Sequence, residues 1–271
     1  MQYRFYGWET ADVRDANGVT PRDMYDLLSA VWNADTCAPR MRSGWTIENR
    51  TLGQCSVTAF LIQDLYGGKV YGVPLGDGNF HCYNMVEDCV FDLTSEQFGD
   101  TALHYENNPE QLREIHFAKE EKRRRYETLR ARFLGEYAVM LKHSGFNCCQ
   151  AVLCTYARQT NLSSDLLRGI GAGFGVGMGC MEATCGALCA AEMLMGLKTY
   201  KGAPLLRSAK TLHQAFQRAC GATLCRELKG LDTGRVLCEC DDCVRRAVEL
   251  AEKTGQGFEL AAEKKKQGAA E

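Results

Sequence analysis

Fifteen unevenly spread cysteines constrain this 271-residue chain more than any other feature. Four stand at positions 37, 55, 82 and 89, and the other eleven crowd between 148 and 243. In a reducing compartment, thiols at that density point to metal binding or redox chemistry rather than structural staples, and an odd total cannot pair off completely. The opening MQYRFYGWET carries no apolar h-region, so no secretory leader is expected. The length suits two cores better than one.

Charge narrows the partners. The net charge is −2 and the pI about 6.2, which supplies no basic field for nucleic acid or an anionic membrane. No stretch is long and apolar enough to span a bilayer. The expectation is a cytoplasmic, bacterial-type protein whose partner is a redox protein or a small-molecule or peptide substrate, without nucleic acid and without membrane.

The charged run KEEKRRRYETLRAR at 119–132 separates the two cysteine regimes. It reads as the solvated start of a long helix ending at His143-Ser144-Gly145. Upstream the pattern mixes α and β. Thr20-Pro21 starts one helix, and a second is expected from about Thr51 to Gly67-Gly68. KVYGVPL, NFHCYNMV and CVFDLT then read as strands, with Glu87-Asp88 as a tight turn. Downstream, CCQAVLCTYARQ, SSDLLRGI, EATCGALCAAEMLMGL, APLLRSAKTLHQAFQRAC and CDDCVRRAVELAEKT all carry helical spacing. The expected layout is an α+β domain with a small antiparallel sheet over 1–118, a charged helical connector over 119–134, an all-α cysteine-rich bundle over 135–256 and a frayed tail over 257–271.

Cys55 falls near the start of the second helix, where unpaired backbone N–H groups favour a thiolate. His81 and Asp92 fall on consecutive strands. With Val86 opposite Cys89 and His81 opposite Thr94, Asp92 becomes a diagonal neighbour of His81, roughly 7–8 Å away. Cys55 as nucleophile, His81 as base and Asp92 as orienting carboxylate is one reading, and buried structural residues is the other. Gln54, Trp45 and Arg42 stand close in sequence, and Cys37 is a second thiol that can pair with Cys55 or pack.

GQCSVTAF followed by HCYNMVEDCVFDLT resembles the Gly-Gln-Cys helix start and His…Asp hairpin of transglutaminase-like thiol enzymes. The stretch from Cys37 to Phe98 is similar more closely to the small bacterial YunG-like family. The first resemblance implies a transglutaminase/papain-like fold and thiol hydrolysis or acyl transfer at Cys55, His81 and Asp92. A non-catalytic binding module is the alternative.

In the second half Cys185 and Cys189 are spaced i, i+4, and CECDDC gathers Cys238, Cys240 and Cys243 at a helix start. All-sulfur sites suit Zn²⁺, Cu⁺ or an Fe–S cluster. GAGFGVGMG follows a helix rather than a strand, so it reads as a loop that lets backbone approach the thiols, not as a dinucleotide site. HSGFNCCQAVL, GFGVGMG, TCGALCAAEMLMGL, CRELKG and a last Cys before VRRAVEL resemble the C_GCAxxG_C_C family of redox-active proteins. That resemblance implies redox or metal roles for Cys148, Cys185, Cys225 and Cys243. This chain has Ala190 where the pattern expects Gly, and it adds Cys149, Cys154, Cys180, Cys189, Cys220, Cys238 and Cys240 as further thiols.

Overall fold

Thr20 starts the first helix through its side chain. Its hydroxyl accepts from the Asp23 N–H, the Asp23 carboxylate reaches back to the Thr20 N–H, and Pro21 occupies the first helical position of α1, Pro21–Val31. The computed structural model describes residues 3–76 and 78–267, and side chains as far as residue 253. It divides into two units, Met1–Phe133 and Leu134–Glu271.

Unit 1 is α+β. Nine of the twelve residues of α2 (Cys55–Tyr66) are buried, as a helix apolar nearly all round must be. It packs on an antiparallel sheet in the order β1 (Lys69–Pro74), β2 (Phe80–Val86), β3 (Cys89–Phe91). Asn84 on β2 locks sheet to helix, its Nδ2 donating to the Ala59 carbonyl at 2.8 Å. Phe5, Phe60, Ile62 and Phe91 are fully buried in this core.

Two boundaries differ from the sequence expectation, and both shape the site. The helix expected from Thr51 begins at Cys55. Gly53 adopts φ +67°, and a Cβ there would lie 2.7 Å from the Cys37 sulfur, so residues 51–54 turn instead of winding. The ladder expected to run from Val86↔Cys89 to His81↔Thr94 stops at Asn84↔Phe91. Asp92 forms an Asx turn instead, its Oδ1 accepting from the Thr94 N–H and hydroxyl at 2.9 and 3.0 Å. Its backbone N–H donates to the Tyr6 carbonyl at 3.0 Å. These local partners take the groups a longer strand would have used.

After α3 (Arg113–Phe117) comes α4 (Glu120–His143), which contains the unit boundary. The basic cluster is not wholly a solvated face, because Arg125 is buried. Its Nε donates to the Thr36 carbonyl at 3.0 Å and an Nη to the Gly53 carbonyl at 2.8 Å, bracing the turn before Cys55. Arg125→Met is expected to lower stability by roughly 2–4 kcal/mol in urea unfolding, since two charge-assisted bonds go and the Thr36 carbonyl loses its donor, while the Gly53 carbonyl keeps the Ala38 N–H. A loss under about 0.5 kcal/mol, the range of ordinary surface substitutions, would refute the bracing role.

Unit 2 is helical: α5 (Cys148–Cys154), α6 (Ala157–Thr160), α7 (Ser164–Gly171), α8 (Gly186–Thr199), α9 (Leu206–Cys220), α10 (Cys225–Leu228) and α11 (Cys240–Gln267). α8 packs against α5 and α11 around buried Tyr156, Leu188, Leu194, Val244 and Val248. The helix expected over 182–197 starts only at Gly186, because Thr184 bridges to Leu224 and the Cys185 N–H donates to the Thr223 carbonyl at 2.8 Å. In the tail expected to fray, α11 runs on to Gln267, and the side chains of 257–271 lie outside the described residues. Among the described residues no helix is long and apolar enough to cross a membrane.

Candidate functional site

Cys55 is the first helical residue of α2, directly after Gln54 at the N-cap, and is half-buried. Its thiol is held well below its ordinary value of 9.0. The Cys82 thiol donates to it; burial opposes this; the His81 ring, through hydrogen bond and charge, and the Cys82 backbone N–H complete the effect. His81, on β2, turns Nε2 to Asp92 Oδ2 at 2.5 Å, and both side chains are 1 % exposed. That leaves His81 Nδ1, buried and without another hydrogen-bond partner, for the Cys55 sulfur. Burial works against a charged ring, but the charge and hydrogen bond of Asp92 and then those of Cys55 outweigh it and push His81 up to about 10. The two shifts act together to favour the thiolate–imidazolium form of the pair. The Tyr105 hydroxyl also donates to Asp92 Oδ2, at 2.9 Å, so the buried carboxylate is fully satisfied.

Three further groups reach this place that sequence reasoning did not assign to it: Cys82, His116 and Lys122. Cys82 adjoins His81 on a strand, where neighbours ordinarily face opposite ways. His116 comes from α3, beyond the sheet, and only the fold brings it near Cys55. Burial first, and then the Lys122 charge, push His116 down to about 4, and its buried Nε2 has no hydrogen-bond partner. Cys37 does not pair with Cys55. It is a free, fully buried thiol packed by Gly53, and burial pushes it up. Gln54 donates to the Asn33 carbonyl, Trp45 to that of Arg50 and Arg42 to that of Asp35, so all three brace the neighbouring loops.

In unit 2, Cys148, Cys185, Cys225, Cys238, Cys240 and Cys243 line one cavity of about 220 Å³. The four positions of the family pattern are all among them. Cys148, Cys225 and Cys240 each open a helix, and Cys185 is the N-cap of α8. Asn147 sets the first of these, since its side chain accepts from the Cys149 and Gln150 N–H groups while Gln150 answers the Asn147 N–H. Asn147→Ala is expected to cost about 1–2 kcal/mol in chemical unfolding of the reduced protein. An unchanged unfolding midpoint would show that the cap does not hold Cys148.

The glycine-rich segment closes over the thiols. A Cβ on Gly186 would lie 2.3 Å from the Phe174 carbonyl oxygen and 2.8 Å from the Cys148 sulfur, and the Val176 N–H donates to Cys148. The thiols fall into donors and acceptors. Cys240 donates to Cys148, lowering Cys148 against its burial and raising Cys240. Cys243 donates to Cys185, which the Leu188 and Ala187 N–H groups also favour as thiolate. The single S–H proton of Cys243 is shared between Cys185 and Cys220; with Cys238 also beside it, Cys220 is brought to about 7, and Cys243 is itself pushed up. Lys142 and Lys229 add positive charge at the cavity wall. Cys240 and Cys243 thus take different partners, although CECDDC gathers them at one helix start.

The other added thiols separate from the cavity. Cys149 and Cys189 sit together, pushed up by burial to about 12 and about 11. Cys154 donates to the Ser164 carbonyl at 3.7 Å, and Cys180 is exposed. The four family thiols do not converge on a single-ion site. Among the described residues Cys220, Cys238 and Cys243 do, with sulfurs all within 4.8 Å of one another, so this cluster can hold a metal ion.

The family model described as "YunG protein" matches residues 20–138, and the one described as "Putative redox-active protein (C_GCAxxG_C_C)" matches 146–254. "Uncharacterized protein YunG" of Bacillus subtilis (strain 168) is 37% identical over 91 residues, 34% of this chain and 76% of that protein. No solved structure matches the chain. With three quarters of that relative covered and a second family model following in the sequence, this chain belongs to the YunG family and carries a C_GCAxxG_C_C domain after the YunG domain.

Proposed function

We propose that unit 2 is a thiol–disulfide redox centre. The observation that carries this reading is the lining of a single cavity by six cysteines, in which lowered and raised thiols stand in pairs. The Cys148 thiolate attacks a substrate disulfide, displacing one sulfur as thiolate and forming a mixed disulfide. Cys240, giving up its proton, then attacks the Cys148 sulfur and releases the second substrate thiolate. Two electrons pass to the substrate and a Cys148–Cys240 disulfide remains; Cys185 and Cys243 form the second pair.

Mild oxidation of the reduced full-length protein is expected to remove two or four free thiols reversibly, with peptide mass spectrometry locating Cys148–Cys240. The same four family cysteines could instead hold an iron–sulfur cluster, which would supply one-electron transfer. Stoichiometric iron and sulfide with a visible absorption band after anaerobic purification would replace the dithiol reading.

A second reading concerns unit 1, and the 2.5 Å His81–Asp92 contact beside Cys55 favours it. Cys55 acts as a thiolate nucleophile of transglutaminase-like type toward an acyl group of a peptide or small molecule, with His81 as proton carrier and Asp92 orienting it. Its tests open the Discussion.

A further inference from the structure

We propose that Cys220, Cys238 and Cys243 form a three-thiolate site for a cuprous ion. The three sulfurs lie within 4.8 Å of one another although they come from three segments. Cys220 ends α9, Cys238 lies in the loop before α11, and Cys243 stands in the first turn of α11. The loop is built to hold this position. The Leu237 and Cys238 N–H groups both donate to the Leu228 carbonyl, at 2.9 and 3.4 Å. Arg226 grips Asp232 and Glu182 from α10, at 2.6 Å to each. Cys220 and Cys243 are buried while Cys238 is half-buried, and Cys238 and Cys243 both line the 220 Å³ cavity.

The donor set selects the ion. All three donors are soft sulfurs, and no histidine, carboxylate or fourth cysteine joins the group among the described residues. Structural zinc takes four ligands and iron–sulfur clusters take four cysteines, so both are left incomplete here. Thiolates favour Cu(I), which three sulfurs can enclose in a trigonal shell. Binding displaces thiol protons to solvent, without any electron transfer. The Arg246 guanidinium beside Cys220 offsets part of the thiolate charge. The proposal does not depend on the redox reading, but it touches it: an ion here withdraws Cys243 from Cys185.

The test uses reduced, metal-free full-length protein, titrated anaerobically with Cu(I) against a chromogenic Cu(I) chelator, and in parallel with Zn(II). One Cu(I) per chain is expected to resist the chelator and give copper–thiolate luminescence. Cys220→Ser and Cys238→Ser should each weaken binding by at least the roughly 10–100-fold that loss of an outer-shell partner already costs. Cys148→Ser should keep the copper while losing the Cys148–Cys240 disulfide, which separates this proposal from the redox one. Circular dichroism checks folding, and the half-buried loop position Cys238 decides if Cys220→Ser unfolds. Copper retained in both triad variants, copper lost with Cys148→Ser, or Zn(II) displacing Cu(I) would each overturn the proposal.

Discussion

Iodoacetamide is expected to alkylate Cys55 faster below about pH 8 than an ordinary thiol, which titrates near pH 8.5, because the Cys55 thiol is held well below that range. The cause is the combined pull of the Cys82 thiol and N–H, the His81 ring and the start of α2. His81→Ala should shift the labelling curve toward the ordinary thiol and slow labelling at pH 6, by at most roughly two orders of magnitude because the Cys82 hydrogen bond stays. Asp92→Asn should fall between, since His81 loses the carboxylate that keeps it charged while Cys55 keeps its helix. Peptide mass spectrometry of Cys55 reads all three proteins. A wild-type curve that rises through pH 8.5 and does not change with His81→Ala would make Cys55 a structural cysteine.

The second large effect is on stability. His81 is raised in the folded state from 6.5 to about 10, so its contribution is full below pH 6.5 and fades as pH rises through about 10. Cys55 is lowered from 9.0, so its contribution is full above pH 9 and fades as pH falls through its folded value. Where pH lies above the folded value of Cys55 and between about 6.5 and 9, the folded protein holds its proton on His81 and the unfolded chain on Cys55, so the proton counts match and these two groups leave stability flat. Cys55→Ser removes the balancing half. Its stability is expected to fall as pH rises above 6.5, which urea unfolding at several pH values would reveal. A variant as flat as the wild type would mean that His81 is not charged. Asp92→Ala should be costlier still, about 3–5 kcal/mol at pH 7, because it breaks the buried pair with His81 and takes the acceptor from the Thr94 N–H and the Tyr105 hydroxyl.

The sequence carried much of the local structure. Thr20-Pro21 and Asp23 contain their own cap, Gly67 stops α2 as expected, and Val86↔Cys89 follows from a two-residue turn. Asn147 and Gln150 likewise define where α5 begins. Hydrophobic periodicity separated an α+β half from a helical half. These features depend on residues a few positions apart, so the chain order alone expresses them.

The sites were legible only in outline. The order of Cys55, His81 and Asp92 points to a site, yet the ladder that would set Asp92 diagonal to His81 ends at Asn84↔Phe91. The contact forms through an Asx turn and the backbone of Tyr6, far off in sequence. His116 carries no motif, and what makes it notable, a buried nitrogen without a partner near Cys55, exists only once α3 has packed. In the bundle CECDDC gathers Cys240 and Cys243 at one helix start, but packing sends one toward Cys148 and the other toward Cys185, Cys220 and Cys238. The sequence by itself determined where helices begin and which residue types crowd there, because capping and periodicity are short-range. Which thiol meets which was decided by tertiary structure alone, since sulfur contacts join helix ends whose separation along the chain says nothing about their distance in space.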